Sequence, residues 1–204
     1  MMDAVIFDLF GTLMYIRKET HFHHRLFIEL GLAEQEVRVA RRVCLTENLP
    51  DIASLLKRLL QNKRVDTSTY EVELFHEVES CTLYPETLEV LDRLRQRGMK
   101  LGLASNLATP YKELFYRLGL SEFIPRPTFS CDEGVLKPER EIYERALRRV
   151  GAQPQNTLMV GDKFGNDVRG PLSVGMNALL LDRSGLSNYF ARIKTLKELL
   201  VLVQ

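Results

Sequence analysis

Ala4-Val5-Ile6-Phe7-Asp8-Leu9-Phe10-Gly11-Thr12-Leu13, the stretch AVIFDLFGTL, decides the fold. Its first four residues form a short apolar run closed by a turn signal, the pattern of a strand buried on both faces. Asp8 stands at the exit of that strand, and the Gly11-Thr12 turn that follows frees backbone N–H groups beside it. A carboxylate so placed is suited to attack a bound electrophile, and the plain alternative is a turn cap. Position 10 is Phe, where a second acid would give a proton to a leaving group and afterwards take one from water.

Outward from this strand, further apolar runs at residues 101–104, 157–160 and 178–181 read as strands of one parallel sheet. Helical periodicity follows or precedes them at residues 85–97, 110–118, 139–150, 166–174 and 195–203. The alternation predicts an α/β, doubly wound, Rossmann-like core whose ligands lie beyond the carboxyl ends of the strands. Residues 15–83 break the alternation and read as helices alone, at 23–30, 34–45, 51–60 and 69–79. The expected organisation is therefore a core of residues 1–14 and 84–204 with an all-helical cap at 15–83, standing over Asp8.

The chain has 204 residues, 45% of them hydrophobic, enough for one sizeable core with a smaller insertion. Its 28 basic and 27 acidic residues leave a net charge of +1, so composition supports neither nucleic-acid nor membrane partners. The beginning of the sequence has no leader-like pattern and no run reaches membrane-span length, which predicts a cytoplasmic protein, monomer or homodimer. Cys44, Cys81 and Cys131 are odd in number and widely spaced, so they predict neither disulfides nor a cysteine zinc site. His21, His23 and His24 cluster without an acidic or cysteine partner at ligand spacing and read as solvated helix residues. Tyr15 and Phe22 read as aromatics packing the insertion onto the core.

Three further elements fall at strand ends. Ser105 and Asn106 in LASNL offer a hydroxyl and N–H groups for an oxyanion, or a helix cap. Lys137 in GVLKPEREIY, with Pro138 read as the first residue of a helix, places a cation just outside that helix. Asp162 and Asp167 in GDKFGND flank a Gly-containing turn, where two carboxylates can converge on one hard cation such as Mg2+. Each has a plain reading as a cap or a solvated charge.

In order, DLFGTL, LASN, the lysine of GVLKPEREIY and GDKFGND resemble the four motifs of the haloacid dehalogenase superfamily of aspartate-nucleophile hydrolases. The resemblance spans the chain. YPETLEVLDRLRQRGMKLGLASN is similar to the stretch before the second motif in members with a helical cap inserted after the first. It implies Asp8 as nucleophile with Lys137 as its catalytic companion, and Ser105, Asn106 and Thr12 as substrate contacts. It implies Mg2+ held by Asp8, the backbone carbonyl of Phe10, Asp162 and Asp167. Phe10 departs from the phosphatase pattern and removes the general acid/base.

The family's branches make opposite demands here. An aromatic residue two positions after the nucleophile resembles the metal-independent 2-haloacid dehalogenases, which also use a cap arginine that Arg38, Arg41 or Arg42 would supply. Asp162 resembles the metal-dependent phosphohydrolases, and a carboxylate facing Asp8 without a cation would oppose charging the nucleophile. The reading adopted is Mg2+-dependent hydrolysis or transfer of a small phosphoester, acting on a small anionic metabolite. The alternatives are dehalogenation and a slow or non-catalytic phosphate-binding regulator.

Overall fold

The computed structural model describes residues 2–20, 22–60 and 66–203, with the side chains of residues 22–24 and 60 outside that description. His21 lies outside the described residues, and so do the side chains of Phe22, His23 and His24 on which the readings above depend.

The opening run forms β1 (Ala4–Phe7), and all four of its residues are buried. It is buried because it is central. The sheet contains β4 (Lys100–Ser105), β5 (Thr128–Phe129), β6 (Thr157–Gly161), β7 (Asn177–Leu181) and β8 (Arg192–Ile193). Strand order is β5-β4-β1-β6-β7-β8, with every pairing parallel. The chain builds outward from β1 to β4 and β5, then returns to lay β6, β7 and β8 on the other side. The order therefore reverses beside β1, where sheets of this class hold ligands.

Alternation along the strands divides the core into two layers. Val5 and Phe7 face the larger layer with α5 (Thr87–Gln96) and α10 (Leu196–Leu202), through Val90, Leu91, Leu94, Leu196 and Leu199. Ile6, Ala104 and Met159 face α8 (Arg140–Val150), through Ile142, Tyr143, Ala146 and Leu147. With both faces covered, the strands need continuous apolar runs, which is why they were readable.

Between β1 and β4 stand α1 (Phe22–Glu29), α2 (Glu34–Thr46), α3 (Ile52–Leu60) and α4 (Ser68–Glu79). They are bracketed by β2 (Met14–Ile16) and β3 (Cys81–Leu83), which pair antiparallel with Met14 opposite Leu83. Three-residue strands have too few residues to show a period, so sequence periodicity did not reveal this pair. The short edge strands β5 and β8 escaped for the same reason.

Two other expectations change in detail. α8 begins at Arg140 with Glu139 before it, so Pro138 belongs to the turn ahead of the helix rather than to its first residue, and Lys137 lies outside the helix as expected. The helix expected at 166–174 is a π-helical turn over Phe164–Arg169 followed by α9 (Gly170–Ser173). Wider turns of this kind recur at functional sites. The remaining helices are α6 (Lys112–Arg117) and α7 (Ser130–Glu133).

Candidate active site

Asp8 continues the sheet one residue beyond β1, its N–H donating to Val160 of β6 at 2.9 Å. The chain then turns on the Leu9 carbonyl, which accepts from the N–H groups of Thr12, Leu13 and Met14 at 3.3, 2.9 and 3.0 Å. Phe10's carbonyl accepts none of these turn bonds. Gly11 has φ +81°, and a Cβ there would lie 2.5 Å from Asp162 Oδ2, so the turn lies directly against that carboxylate. Phe7 is level with Leu103 and with Val160, which sets Asp8, Ser105 and Asp162 along one edge of the sheet.

The structure brings Asp8, Lys137, Asp162 and Asp167 together. One carboxylate oxygen from each of the three aspartates lies within 4.8 Å of the others. The Lys137 ammonium, buried, donates to Asp8 Oδ1 at 2.7 Å and to Asp167 Oδ1 at 2.6 Å. Asp167 Oδ2 accepts from the Lys163 N–H at 2.8 Å, across the first turn of the π-helical segment. Asp162 Oδ2 pairs with the exposed Lys163 ammonium at 2.9 Å, and its Oδ1 is buried without a hydrogen-bond partner.

Asp8 and Asp167 thus share one buried ammonium, and Asp162 beside them has only the exposed one of Lys163. Burial raises the Asp8 carboxyl to about 6, against the opposing pull of Lys137, and the charges of Asp167 and Asp162 add to the rise. Burial alone would lower Lys137, but the facing charges of Asp8 and Asp167 outweigh it and hold the ammonium above its usual value. An orphaned carboxylate oxygen, uncompensated negative charge and oxygen-only donors fit a hard divalent cation such as Mg2+.

Other predicted residues fall into place less directly. Ser105 ends β4 and is buried, and the next helical turn begins only at Thr109, so it caps no helix. Thr12 is fully buried with its hydroxyl unpartnered. Asn106 turns toward the lysine turn: its Nδ2 donates to the Lys137 carbonyl at 2.9 Å and its Oδ1 accepts the Lys137 N–H at 2.7 Å. Of the three candidate arginines, Arg38 pairs with Glu34 on the surface and Arg42 pairs with Glu139. Arg41 lines a cavity of about 300 Å³ between the helical segment and the core.

That cavity is lined by Phe27 and Leu45 from α1 and α2, and by Phe10, Asn106, Leu107 and Tyr111 from the core. The Phe10 ring meets Tyr111 edge-on, with centroids 5.5 Å apart. The Tyr111 hydroxyl donates to the buried carboxylate of Glu77 in α4 at 2.5 Å, and Glu77 also accepts from the Thr20 N–H and hydroxyl at 2.7 and 2.6 Å. The turn after Asp8, the cavity and the helical segment are thus joined through two aromatic rings and one carboxylate. Tyr15 stacks on Tyr84 at 4.7 Å.

Arg183, unremarked in the sequence, locks the base of the site. Its guanidinium donates to the carbonyls of Thr12 at 2.9 Å and Gly11 at 3.4 Å, pairs with Glu86 at 2.8 Å, and lies 3.4 Å over the Tyr84 ring. The signal was its position: Asp182-Arg183 directly follows β7, another strand exit on the same edge.

A parallel sheet that gathers carboxylates at its carboxyl edge, where strand order reverses, defines an α/β enzyme of the doubly wound class. The family model for haloacid dehalogenase-like hydrolases matches residues 2–175, and the chain belongs to that family. A glyceraldehyde 3-phosphate phosphatase of Methanopyrus kandleri is 31% identical over 198 residues, covering 90% of this chain and 85% of the relative. One of Methanothermobacter thermautotrophicus is 37% identical over 111 residues, or 53% of this chain, and the match spans only 49% of the relative's length. The crystal structure of a HAD phosphatase from Thermococcus onnurineus superposes with TM-score 0.71 at 28% identity, covering 99% of this chain and 98% of the other.

Proposed function

We propose that the chain is a Mg2+-dependent hydrolase of small phosphomonoesters, with residues 15–83 as a cap domain over a core of residues 1–14 and 84–204. The observation that carries this reading is Asp162: its buried, partnerless oxygen beside Asp8 and Asp167 calls for a cation. The activities for which relatives are named, glyceraldehyde 3-phosphate phosphatase and, in Thermus thermophilus, phosphoserine phosphatase, support it. Among the described residues no helix is long and apolar enough to cross a membrane.

Asp8, the Phe10 carbonyl, Asp162 and Asp167 would hold Mg2+, which when bound neutralises phosphoryl oxygens and lets the carboxylate approach them. Lys137 fixes Asp8 through Oδ1, and the other oxygen attacks phosphorus as the ester oxygen departs with its electron pair. Ser105 and Thr12 offer hydroxyls to the transferring group, and Asn106 holds Lys137 in register. Water then cleaves the aspartyl phosphate, releasing phosphate and restoring Asp8. Phe10 can neither give a proton to the departing alcohol nor take one from the attacking water, so both steps proceed without that side-chain help.

Phosphate release from 4-nitrophenyl phosphate, dependent on Mg2+ and abolished by Asp8→Asn, is the expected result. A second reading, 2-haloacid dehalogenation, is favoured by one observation: Phe10 and Arg41 line the same apolar cavity. Metal-independent halide release from 2-haloacids would replace the first reading with it. Binding of phosphate with no turnover of either substrate would favour a regulatory role.

A further inference from the structure

We propose that the preferred phosphomonoester carries an apolar leaving group, a short aliphatic or small aromatic alcohol seated in the cavity beneath α1 and α2. The inference rests on the phosphoester reading above and names the substrate class for that site.

The cavity adjoins the chemistry at two points, since Phe10 stands two residues beyond Asp8 and Asn106 follows Ser105. Its volume of about 300 Å³ suits a small group. Phe10, Phe27, Leu45 and Leu107 give it apolar walls. Apart from Arg41 at the rim, its polar side chains are already satisfied or neutral. The Tyr111 hydroxyl donates to Glu77, so Tyr111 presents its ring, and both ends of the Asn106 amide bind the Lys137 backbone. The Cys44 thiol, pushed up to about 12 by burial, stays neutral. Arg41 is exposed and so marks the solvent side.

A leaving group with hydroxyls along its length would surrender its water here and, away from Arg41 at the rim, meet only polar groups that are already engaged, which costs more than the contacts return. An aliphatic group of the same shape gains about fourfold in binding for each methylene it buries, until the cavity is full. The relatives are named for glyceraldehyde 3-phosphate and phosphoserine, both of which carry polar groups beside the ester. Phe10 is then more than a missing acid: its ring, edge-on to Tyr111, is part of the wall that selects the alcohol.

The test compares n-pentyl phosphate with 4-hydroxybutyl phosphate, which match in shape and in the basicity of the departing oxygen. With Mg2+, kcat/KM for the pentyl ester is expected to be about tenfold higher or more. Leu45→Asn should narrow that ratio. Calorimetry with n-pentylphosphonate and 4-hydroxybutylphosphonate supplies a readout independent of turnover, the pentyl compound binding about tenfold more tightly. Equal or better use of the hydroxybutyl ester, or a ratio unmoved by Leu45→Asn, would overturn the inference while leaving the phosphoester reading in place. No release from either ester and no binding of either phosphonate would overturn both.

Discussion

The side-chain amide of Asn106 and the backbone of Lys137 exchange two hydrogen bonds, at 2.9 and 2.7 Å, and so tie the exit of β4 to the turn that carries the buried ammonium. The lysine therefore reaches Asp8 and Asp167 from a fixed base, which is what positioning of a charged group requires. Asn106→Ala is expected to cost about 1–3 kcal/mol of stability by leaving the Lys137 peptide groups unpaired. It should also lower kcat more than it raises KM. Urea unfolding and steady-state kinetics check the two halves.

Asp8 makes a pH prediction with a definite sign. Its carboxyl titrates at about 6 in the folded chain against an ordinary 3.8. The folded state therefore holds this proton more tightly than the unfolded one. The ionised carboxylate opposes folding, an effect absent below about 3.8, growing up to about 6 and complete above it. In EDTA, Asp8→Asn should raise the melting temperature more at pH 8 than at pH 5. Mg2+ should shift the acid limb of the activity profile downward, because the cation competes with the proton. An equal gain at both pH values would refute the linkage.

A methyl group at Gly11 should harm metal binding. Its φ of +81° costs any L side chain about 1–2 kcal/mol, and the added Cβ would press on Asp162 at 2.5 Å. Gly11→Ala is expected to weaken Mg2+ binding about tenfold or more by moving that carboxylate. Calorimetric titration with Mg2+ measures it.

Arg183 holds the same turn from below. Arg183→Met leaves the Thr12 carbonyl unpaired and the Glu86 carboxylate without its ion partner, for an expected loss of about 1–3 kcal/mol and a lower kcat. Lysine should rescue little, since a compact ammonium cannot bridge two carbonyls and a carboxylate while lying flat on Tyr84. Denaturant unfolding of both variants decides this.

Phe10→Asp restores a proton carrier. Phosphate release from alkyl esters, whose alcohols leave poorly, should rise by about 10²–10⁴-fold, with a far smaller rise for 4-nitrophenyl phosphate. Equal gains on both would mean that proton transfer to the alcohol is not what limits the native chain.

The sheet was legible because its central strands are buried on both faces and so carry uninterrupted apolar runs, as at Ala4–Phe7 and Thr157–Gly161. The strand pair Met14–Ile16 and Cys81–Leu83 was not, because three residues leave no room for a period. Asp8, Lys137, Asp162 and Asp167 stood out as charges beside strand exits and turns. Asn106 was visible as a residue, but its attachment to Lys137, 31 positions away, is a product of folding. The same holds for Arg183, whose partners lie at Thr12 and Glu86. The engagement of Tyr111 with Glu77 could not be read, since nothing local in either sequence segment announces the other.

Met14 stands opposite Leu83, and the Tyr84 N–H donates to the Leu13 carbonyl at 3.1 Å. The polypeptide thus re-enters the sheet layer beside the point at which it left. An excursion with coincident ends imposes no strain on its host, whatever its length, and tolerates replacement as loop tips tolerate inserted domains. Among the described residues, four helices sit on that junction. Another set could be grafted onto the same pair of strands, changing what enters the cleft while the carboxylates beneath keep their spacing.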